Sequence, residues 1–218
     1  MAKFSLKKII LICLTIIMAM STFNMSAFAE NSEDVDFSSY QEIVDEINRI
    51  YDKNIRFEMN KDASPTKKDL EKFKKELTEY AEQQQEFIEK SKVAEMKAKI
   101  EETASVQNIM ENNRISSAGN ATYSLTHNLS EVEVKLTATG TYSTSSRNFL
   151  SCSNVNATCT SVVTTVAGYS QRSYNSNIID ARRTLAVTSI GERWYQTSAG
   201  VYYDDNCHLY TEFYNTEL

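Results

Sequence analysis

The sequence is poor in the residues on which many catalytic and metal-binding motifs depend. It contains two histidines, four cysteines, five glycines and one proline among 218 residues. Neither His127 nor His208 lies in a His-Glu-x-x-His zinc motif, and the sequence has no glycine-rich phosphate loop and no Gly-x-Ser-x-Gly nucleophile turn. We therefore expect no catalytic residues, no metal ion and no cofactor, and we interpret the protein as one that is not an enzyme.

The N-terminus has the composition of an export signal. Three lysines precede an uncharged apolar run over residues 9–20, and Ala27-Phe28-Ala29 supplies the small side chains that signal peptidases require. The apolar run is shorter than the roughly 20 residues needed to span a bilayer, and no later segment is apolar enough to anchor the chain. The pattern predicts a signal peptide over residues 1–29 and a secreted, extracellular protein, either released or held at the cell surface.

Charge and composition divide the rest of the chain. Removal of the signal peptide leaves 20 basic and 29 acidic residues, and this balance argues against a nucleic-acid partner because binding to phosphates needs clustered lysine and arginine. Residues 30–118 are highly charged and contain no glycine, whereas residues 119–218 contain all five glycines and are rich in serine, threonine and tyrosine. We therefore predict a helical module with a linker over residues 30–118 and a β-domain over residues 119–218.

The helical module is predicted to contain one short and one long helix. Apolar residues at helical spacing follow Ser38, residues 55–59 alternate as in a short strand, and nothing interrupts a helix over residues 66–104. The long helix carries an apolar stripe, which we expect to pack in part on the first helix. A homodimer through this helix is the alternative, although Gln84 and Ser91 interrupt the heptads that a coiled coil requires.

The second half of the chain has the alternation of β-strands. Six or seven strands in about 100 residues favour an antiparallel β-sandwich, which makes the predicted fold class α+β. Turns are expected at polar stretches between the strands, among them residues 153–156, 170–177 and 204–206.

Three cysteines remain after removal of the signal peptide. Cys152 and Cys159 bracket six residues rich in serine and asparagine, so we predict that they face each other across a hairpin and form a disulfide. Cys207 would then be a free or intermolecular thiol, and a bond from Cys207 to either of the others is the alternative. A thiolate–imidazole pair with His208 is disfavoured because adjacent strand residues point to opposite faces.

Three short runs resemble segments of small secreted proteins of Gram-positive bacteria. They are Ile47-Asn-Arg-Ile-Tyr-Asp-Lys-Asn-Ile55, Asp180-Ala-Arg-Arg-Thr-Leu-Ala-Val187 and Tyr210-Thr-Glu-Phe-Tyr214. The resemblance implies export and this layout of the chain, and it implies no activity.

Together these features predict a secreted, non-enzymatic binding protein that acts on a component of a cell surface or cell wall. A bacteriocin-like or membrane-active toxin, whose amphipathic strands rearrange at the target, is the first alternative. A hydrolase of cell-wall polymers is the second.

Overall fold

The structure is a computed structural model that describes residues 35–36, 38–106, 117–129, 132–160 and 167–214. The predicted signal peptide, with Ala27 and Ala29 of its cleavage motif, lies outside the described residues. Residues 34–218 form one compact unit. Within the described part of the chain, neither helix combines the length and the apolar character needed to cross a membrane.

In the described part of the unit there are two helices and seven strands, which confirms the predicted α+β class. The helices are α1 (Ser38–Tyr51) and α2 (Lys67–Val106), and the short strand β1 (Ile55–Met59) lies between them as predicted. The remaining strands are β2 (Ala118–Leu129), β3 (Val132–Ser143), β4 (Phe149–Cys159), β5 (Ala167–Ile179), β6 (Thr184–Gln196) and β7 (Gly200–Tyr214).

Helix α2 is long because it has a strong start and no breaker. Thr66 and Asp69 cap its N-terminus reciprocally: the Asp69 carboxylate accepts from the Thr66 backbone N–H, and the Asp69 N–H donates to the Thr66 hydroxyl. No glycine or proline occurs in its 40 residues, which span about 60 Å at 1.5 Å per residue. Its buried face includes Phe73, Leu77 and Tyr80.

The predicted β-sandwich is not found, because the strands form one open sheet in the order β1-β7-β6-β5-β4-β3-β2. The sheet curls so that the inner sides of β2 and β7 meet. Tyr123 stacks on Phe213 with ring centroids 5.3 Å apart, and His127 Nε2 lies 3.2 Å from Thr211 Oγ1. Since the curled sheet and α2 cover the apolar face, a second sheet is not needed to bury it.

Helix α2 lies between the two edges of the curled sheet. The side chain of Gln84 forms two hydrogen bonds to β7, accepting from the backbone N–H of His208 at 2.6 Å and donating to its carbonyl at 3.0 Å. The neighbouring Gln83 donates to the carbonyl of Asn128 in β2 at 3.1 Å. The polar residue that interrupts the predicted apolar stripe therefore satisfies the backbone of β7 at a residue beyond its pairing with β1.

The compositional boundary near residue 118 separates helix from strand but does not separate two cores. Phe73 of α2 packs against Tyr202 of β7, with ring centroids 6.0 Å apart, and Phe87 packs against His127 of β2 at 5.3 Å. Buried side chains from both sides of the boundary belong to one continuous cluster. The helical module and the β-domain thus share their apolar core.

Three stretches predicted as turns lie inside strands. Residues 153–156 belong to β4, residues 170–177 to β5 and residues 204–206 to β7. The pairing register shifts at or beside each stretch. The shift lies between Thr139 and Gly140 in the β3–β4 pair, between Gln171 and Ser173 in the β5–β6 pair, and between Gly191 and Arg193 in the β6–β7 pair. Polar side chains at such irregularities and on solvent-facing strand positions have the same composition as turns, which is why the sequence pattern misled the prediction.

Candidate functional site

The predicted Cys152–Cys159 disulfide is not made. Both cysteines lie on strand β4, and seven residues of extended chain separate their Cα atoms by about 23 Å. A disulfide requires Cα atoms within roughly 7 Å, so the two thiols cannot meet. Among the described residues Cys152, Cys159 and Cys207 are all free, the first two half-buried and the third fully buried.

Cys207 is enclosed on the inner side of β7. Burial raises the pKa of its thiol to about 12, so the sulfur carries its proton at neutral pH and is a poor nucleophile. In the neighbouring residue His208, Nε2 lies 3.2 Å from the side-chain oxygen of Asn206. Burial lowers the pKa of the His208 imidazole. With no exposed surface, the thiol also cannot reach a second chain without local opening.

A group of buried polar side chains surrounds Cys207, and we call it the Arg193 cluster. Its members are Lys53, Tyr80, Arg193, Tyr202, Asp204 and Cys207. The Arg193 guanidinium donates to the Tyr202 hydroxyl at 2.6 Å and to the carbonyl of Leu129 at 2.8 Å. Its central carbon lies 4.1 Å from the centroid of the Tyr80 ring, within the range of a cation–π contact.

Asp204 links three parts of the fold within this cluster. Its carboxylate accepts from Lys53 Nζ at 3.0 Å, from the Tyr80 hydroxyl at 2.8 Å and from the backbone N–H of Asn206 at 2.9 Å. Lys53 follows α1, Tyr80 lies on α2, and Asp204 lies on β7. The side chains of Lys53 and Asp204 are 2% and 0% exposed, so the pair is desolvated and held by its mutual contact.

The Arg193 cluster is arranged to hold the fold together. Burial raises the pKa of Tyr80 well above its ordinary value, so the phenol is protonated and acts as a hydrogen-bond donor to Asp204. A reactant could touch these groups only after the fold opened locally, because Arg193, Asp204 and Cys207 have no exposed surface. Within the described ranges no group of three or more His, Cys, Asp or Glu side chains is placed to hold a metal ion.

The outer side of β2, β3 and β4 carries a different kind of surface. Strand pairing places fourteen outward positions side by side, and twelve of them are serine, threonine or asparagine. We call these fourteen residues the hydroxyl face. They are Asn120, Thr122, Ser124, Thr126 and Asn128 on β2, Glu133, Lys135, Thr137, Thr139 and Thr141 on β3, and Ser151, Asn154, Asn156 and Thr158 on β4.

Hydrogen bonds between its own side chains orient part of the hydroxyl face. Thr122 and Thr139 hydroxyls lie 3.2 Å apart across the β2–β3 pair, and Thr141 donates to the side-chain oxygen of Asn120 at 2.8 Å. Neighbouring strands are about 4.8 Å apart, and outward residues recur about every 6.8 Å along a strand. The face therefore presents a two-dimensional array of hydroxyl and amide groups, which act as both donors and acceptors, with one irregularity where the register of β4 shifts between Ser151 and Asn154.

The hydroxyl face contrasts with the outer side of the rest of the sheet. Around β1, β5, β6 and β7 that side carries ion pairs, with Arg56 bonded to Asp205 at 3.1 Å and Arg172 to Glu192 at 2.8 Å. Threonine is enriched in β-strands in general, and pairs of opposite charge on neighbouring strands are also stabilising. The near absence of charge from the hydroxyl face is thus specific to β2–β4 rather than a property of the whole sheet.

The sequence predicted little of this site. Alternation in β3 identified its outward threonines, but β2 was not predicted, and the asparagines of β4 were assigned to a turn. Asp204 was likewise placed in a polar turn, although it is fully buried. A signal was present in β2, where outward residues at every second position from Asn120 to Asn128 are all polar.

Comparison with known proteins adds no further assignment. No protein-family model matches the chain, and neither a curated protein nor a solved structure matches it.

Proposed function

We propose that this chain is an exported, non-enzymatic binding protein whose hydroxyl face binds a polyhydroxylated cell-wall polymer. The observation that supports the proposal is the array itself: twelve uncharged hydroxyl and amide side chains, in register over three strands, on a surface almost free of charge. The buried position of the Arg193 cluster is consistent with a structural role for the most polar part of the core.

The chemistry of the array suits a repeating glycan. Sugar hydroxyls and N-acetyl groups are both donors and acceptors, as are the side chains of serine, threonine and asparagine. Each hydrogen bond to a polymer replaces one to water, so its net contribution is only about 1 kcal/mol. Binding therefore depends on many contacts at once, and an array of hydroxyl and amide groups over three adjacent strands meets that requirement.

Sedimentation with purified, insoluble peptidoglycan tests the proposal. The wild-type protein should move into the pellet in a saturable manner, without release of soluble wall fragments. Thr122→Val with Thr139→Val removes two hydroxyls from the centre of the array at almost constant shape, and it should weaken binding about fivefold to tenfold. The matched control replaces two threonines of α2, Thr78→Val with Thr103→Val, and should bind as the wild type does.

Three outcomes would contradict the proposal. Equal binding by the two double variants would place the contact elsewhere on the molecule. Soluble wall fragments that accumulate with time would indicate a hydrolase. Release of a dye from liposomes without affinity for peptidoglycan would favour a membrane-active toxin.

A further inference from the structure

Strands β4 and β5 are neighbours in the sheet but are scarcely paired. They share one ladder pair, Thr158 with Ser170, whereas β5 pairs with β6 from Ala167 to Ile179. Their far ends are joined again through the hairpin after β5, where the backbone N–H of Phe149 donates to the carbonyl of Arg182 at 2.8 Å. Between these two junctions, no ladder pair links the described residues of β4 and β5.

The solvent exposure of the two strands shows that the sheet is open between them. In a paired strand that packs on a core, successive residues alternate between buried and exposed. Here Ser173, Tyr174 and Asn175 of β5 are exposed in succession, and so are Leu150 and Ser151 of β4. Consecutive residues of both strands are thus exposed, although Val155 is buried, and we call the opening between residues 150–155 and 172–178 the β4–β5 cleft.

One side chain already bonds to the backbone of β4 at one end of the β4–β5 cleft. The carboxamide of Gln171 accepts from the backbone N–H of Ala157 at 2.6 Å and donates to the carbonyl of Val155 at 3.0 Å. An antiparallel strand beside β4 would satisfy the same two backbone groups with two of its own peptide groups, one on each side of the residue opposite Asn156. Gln171 thus takes the place of strand pairing at Val155 and Ala157, and the backbone of β4 continues from there towards Leu150.

The end of the cleft farthest from Gln171 is basic. Exposed Arg147, Arg182 and Arg183 lie in the turns that flank Phe149 and the end of β5. Arg182 donates to the carbonyl of Phe149 at 3.1 Å, and Arg183 donates to the carbonyl of Asp180 at 3.3 Å.

Two acids at this basic end, Asp180 and Glu101, are engaged in contacts between α2 and the turn after β5. Asp180 pairs with Lys97 at 3.1 Å. The carboxylate of Glu101 accepts from the backbone N–H groups of Asp180 and Ala181. These contacts leave the arginine end with an excess of positive charge.

We propose that the β4–β5 cleft binds an extended segment of a partner protein, which adds a strand antiparallel to β4 and places an acidic C-terminal end beside Arg147 and Arg183. Residues 151–154 of β4, about 13 Å of strand, lie between the carbonyls of Leu150 and Val155, which already accept from Arg182 and Gln171. Main-chain hydrogen bonds would supply affinity, as in other cases of strand addition, and the arginines would set the direction of the segment. Leu150 and Tyr174, 36% and 47% exposed, offer apolar contacts at the opening. This inference uses the backbone of β4 and does not rest on the proposed role of the hydroxyl face, to which the side chains of Ser151 and Asn154 belong.

Hydrogen exchange on the full chain tests the inference with a defined probe, the acetylated peptide Thr-Val-Thr-Val-Glu-Glu with a free C-terminus. At saturation, amide exchange in residues 150–155 and 173–178 should slow by about tenfold or more. The same peptide with N-methylated valines cannot donate at alternate positions, and it should give no protection. Equal protection by the N-methylated peptide, protection confined to the edge strands β1 and β2, or no protection at about 1 mM peptide would each overturn the inference.

The direction of binding is tested with charge variants of the cleft. Arg147→Gln with Arg183→Gln should weaken binding of the acidic peptide about fivefold, and binding of a peptide ending in two glutamine residues with an amidated C-terminus should not change. Arg182 is retained because its guanidinium bonds to the carbonyl of Phe149. The matched control, Arg49→Gln with Lys61→Gln, removes the same charge away from the cleft and should bind both peptides as the wild type does. An equal loss in both double variants would show that net charge alone attracts the peptide and would overturn the proposed orientation.

Discussion

Replacement of Lys53 by methionine removes the charge that faces Asp204 while keeping most of the volume of the side chain. The Asp204 carboxylate is fully buried and would retain only the Tyr80 hydroxyl and the backbone N–H of Asn206 as donors. Removal of one partner from a buried ion pair typically destabilises a protein by about 3–5 kcal/mol, because the remaining charge is desolvated without compensation. Since the free energy of unfolding of single domains is typically about 5–15 kcal/mol, Lys53→Met should remove a large part of the stability.

Urea and thermal unfolding of four proteins measure this effect: wild type, Lys53→Met, Asp204→Asn and the double variant. We expect Lys53→Met to lower Tm by about 10 °C, given roughly 2–4 °C per kcal/mol for a chain of this size. The double variant should lose less stability than the two single variants lose together, because it leaves no unpaired charge. We expect an interaction free energy of about 2 kcal/mol between the two sites.

Lys72→Met provides the control for loss of a lysine. Lys72 pairs with Glu76 on the exposed side of α2, and its side chain is 62% exposed, so its replacement should change the stability by no more than about 0.5 kcal/mol. A destabilisation below about 1 kcal/mol in Lys53→Met, or strictly additive single effects, would refute the view that this pair ties α1 and α2 to the sheet.

Three further predictions follow from burial. Burial lowers the pKa of His127, so the unfolded chain binds a proton more readily than the folded chain does. The stability that comes from keeping His127 neutral should be present above about pH 6.5 and should be lost as the pH falls below it. In thermal melts, His127→Gln should make the Tm depend less steeply on pH. An unchanged slope in that variant would contradict the assignment. The Cys207 thiol, with its pKa raised to about 12, should react with a thiol reagent at pH 8 only on unfolding, whereas Cys152 and Cys159 react in the folded protein; rapid native labelling of all three would disprove the enclosure. A fragment of residues 119–218 lacks β1 and α2 and should show no cooperative melt by circular dichroism, whereas a sharp transition would show that it does not need the shared core.

Local patterns in the sequence predicted the elements whose residues make mainly local contacts. The helices and β1 followed from apolar spacing and from the absence of breakers in residues 67–106. The inner side of β3 followed from strict alternation between Val132 and Ala138. These patterns arise because each residue of an element faces either the core or the solvent, and its own polarity indicates which.

Features that depend on distant parts of the chain were not predictable in this way. Gln84 reads as a break in an apolar stripe, yet its amide satisfies the edge of a strand more than 100 residues away. Asp204 reads as part of a turn because its partners, Lys53 and Tyr80, are remote in sequence. The prediction of a Cys152–Cys159 disulfide was wrong because the polar residues between the two cysteines do not form a turn. They continue one strand, and they are polar because its outer side faces solvent.

The hydroxyl face is a collective feature, and this explains why it was only partly visible in the sequence. Its three rows come from separate strands, and the array exists only because the register places Thr122 opposite Thr139 and Thr139 opposite Asn154. Alternation identifies a row within one strand. It does not state which rows lie side by side, because pairing and register are set by the turns and by the shared apolar side.

Titration of threonine methyl resonances with soluble peptidoglycan fragments tests the proposed binding surface most directly. The proposal predicts saturable shifts at Thr122, Thr139 and Thr158, which lie on the outer side of β2, β3 and β4. The methyl groups of Thr78 and Thr103 on α2 should not shift, and the fragments should be recovered intact. Shifts that are largest outside the hydroxyl face, or cleavage of the fragments during the titration, would contradict the account.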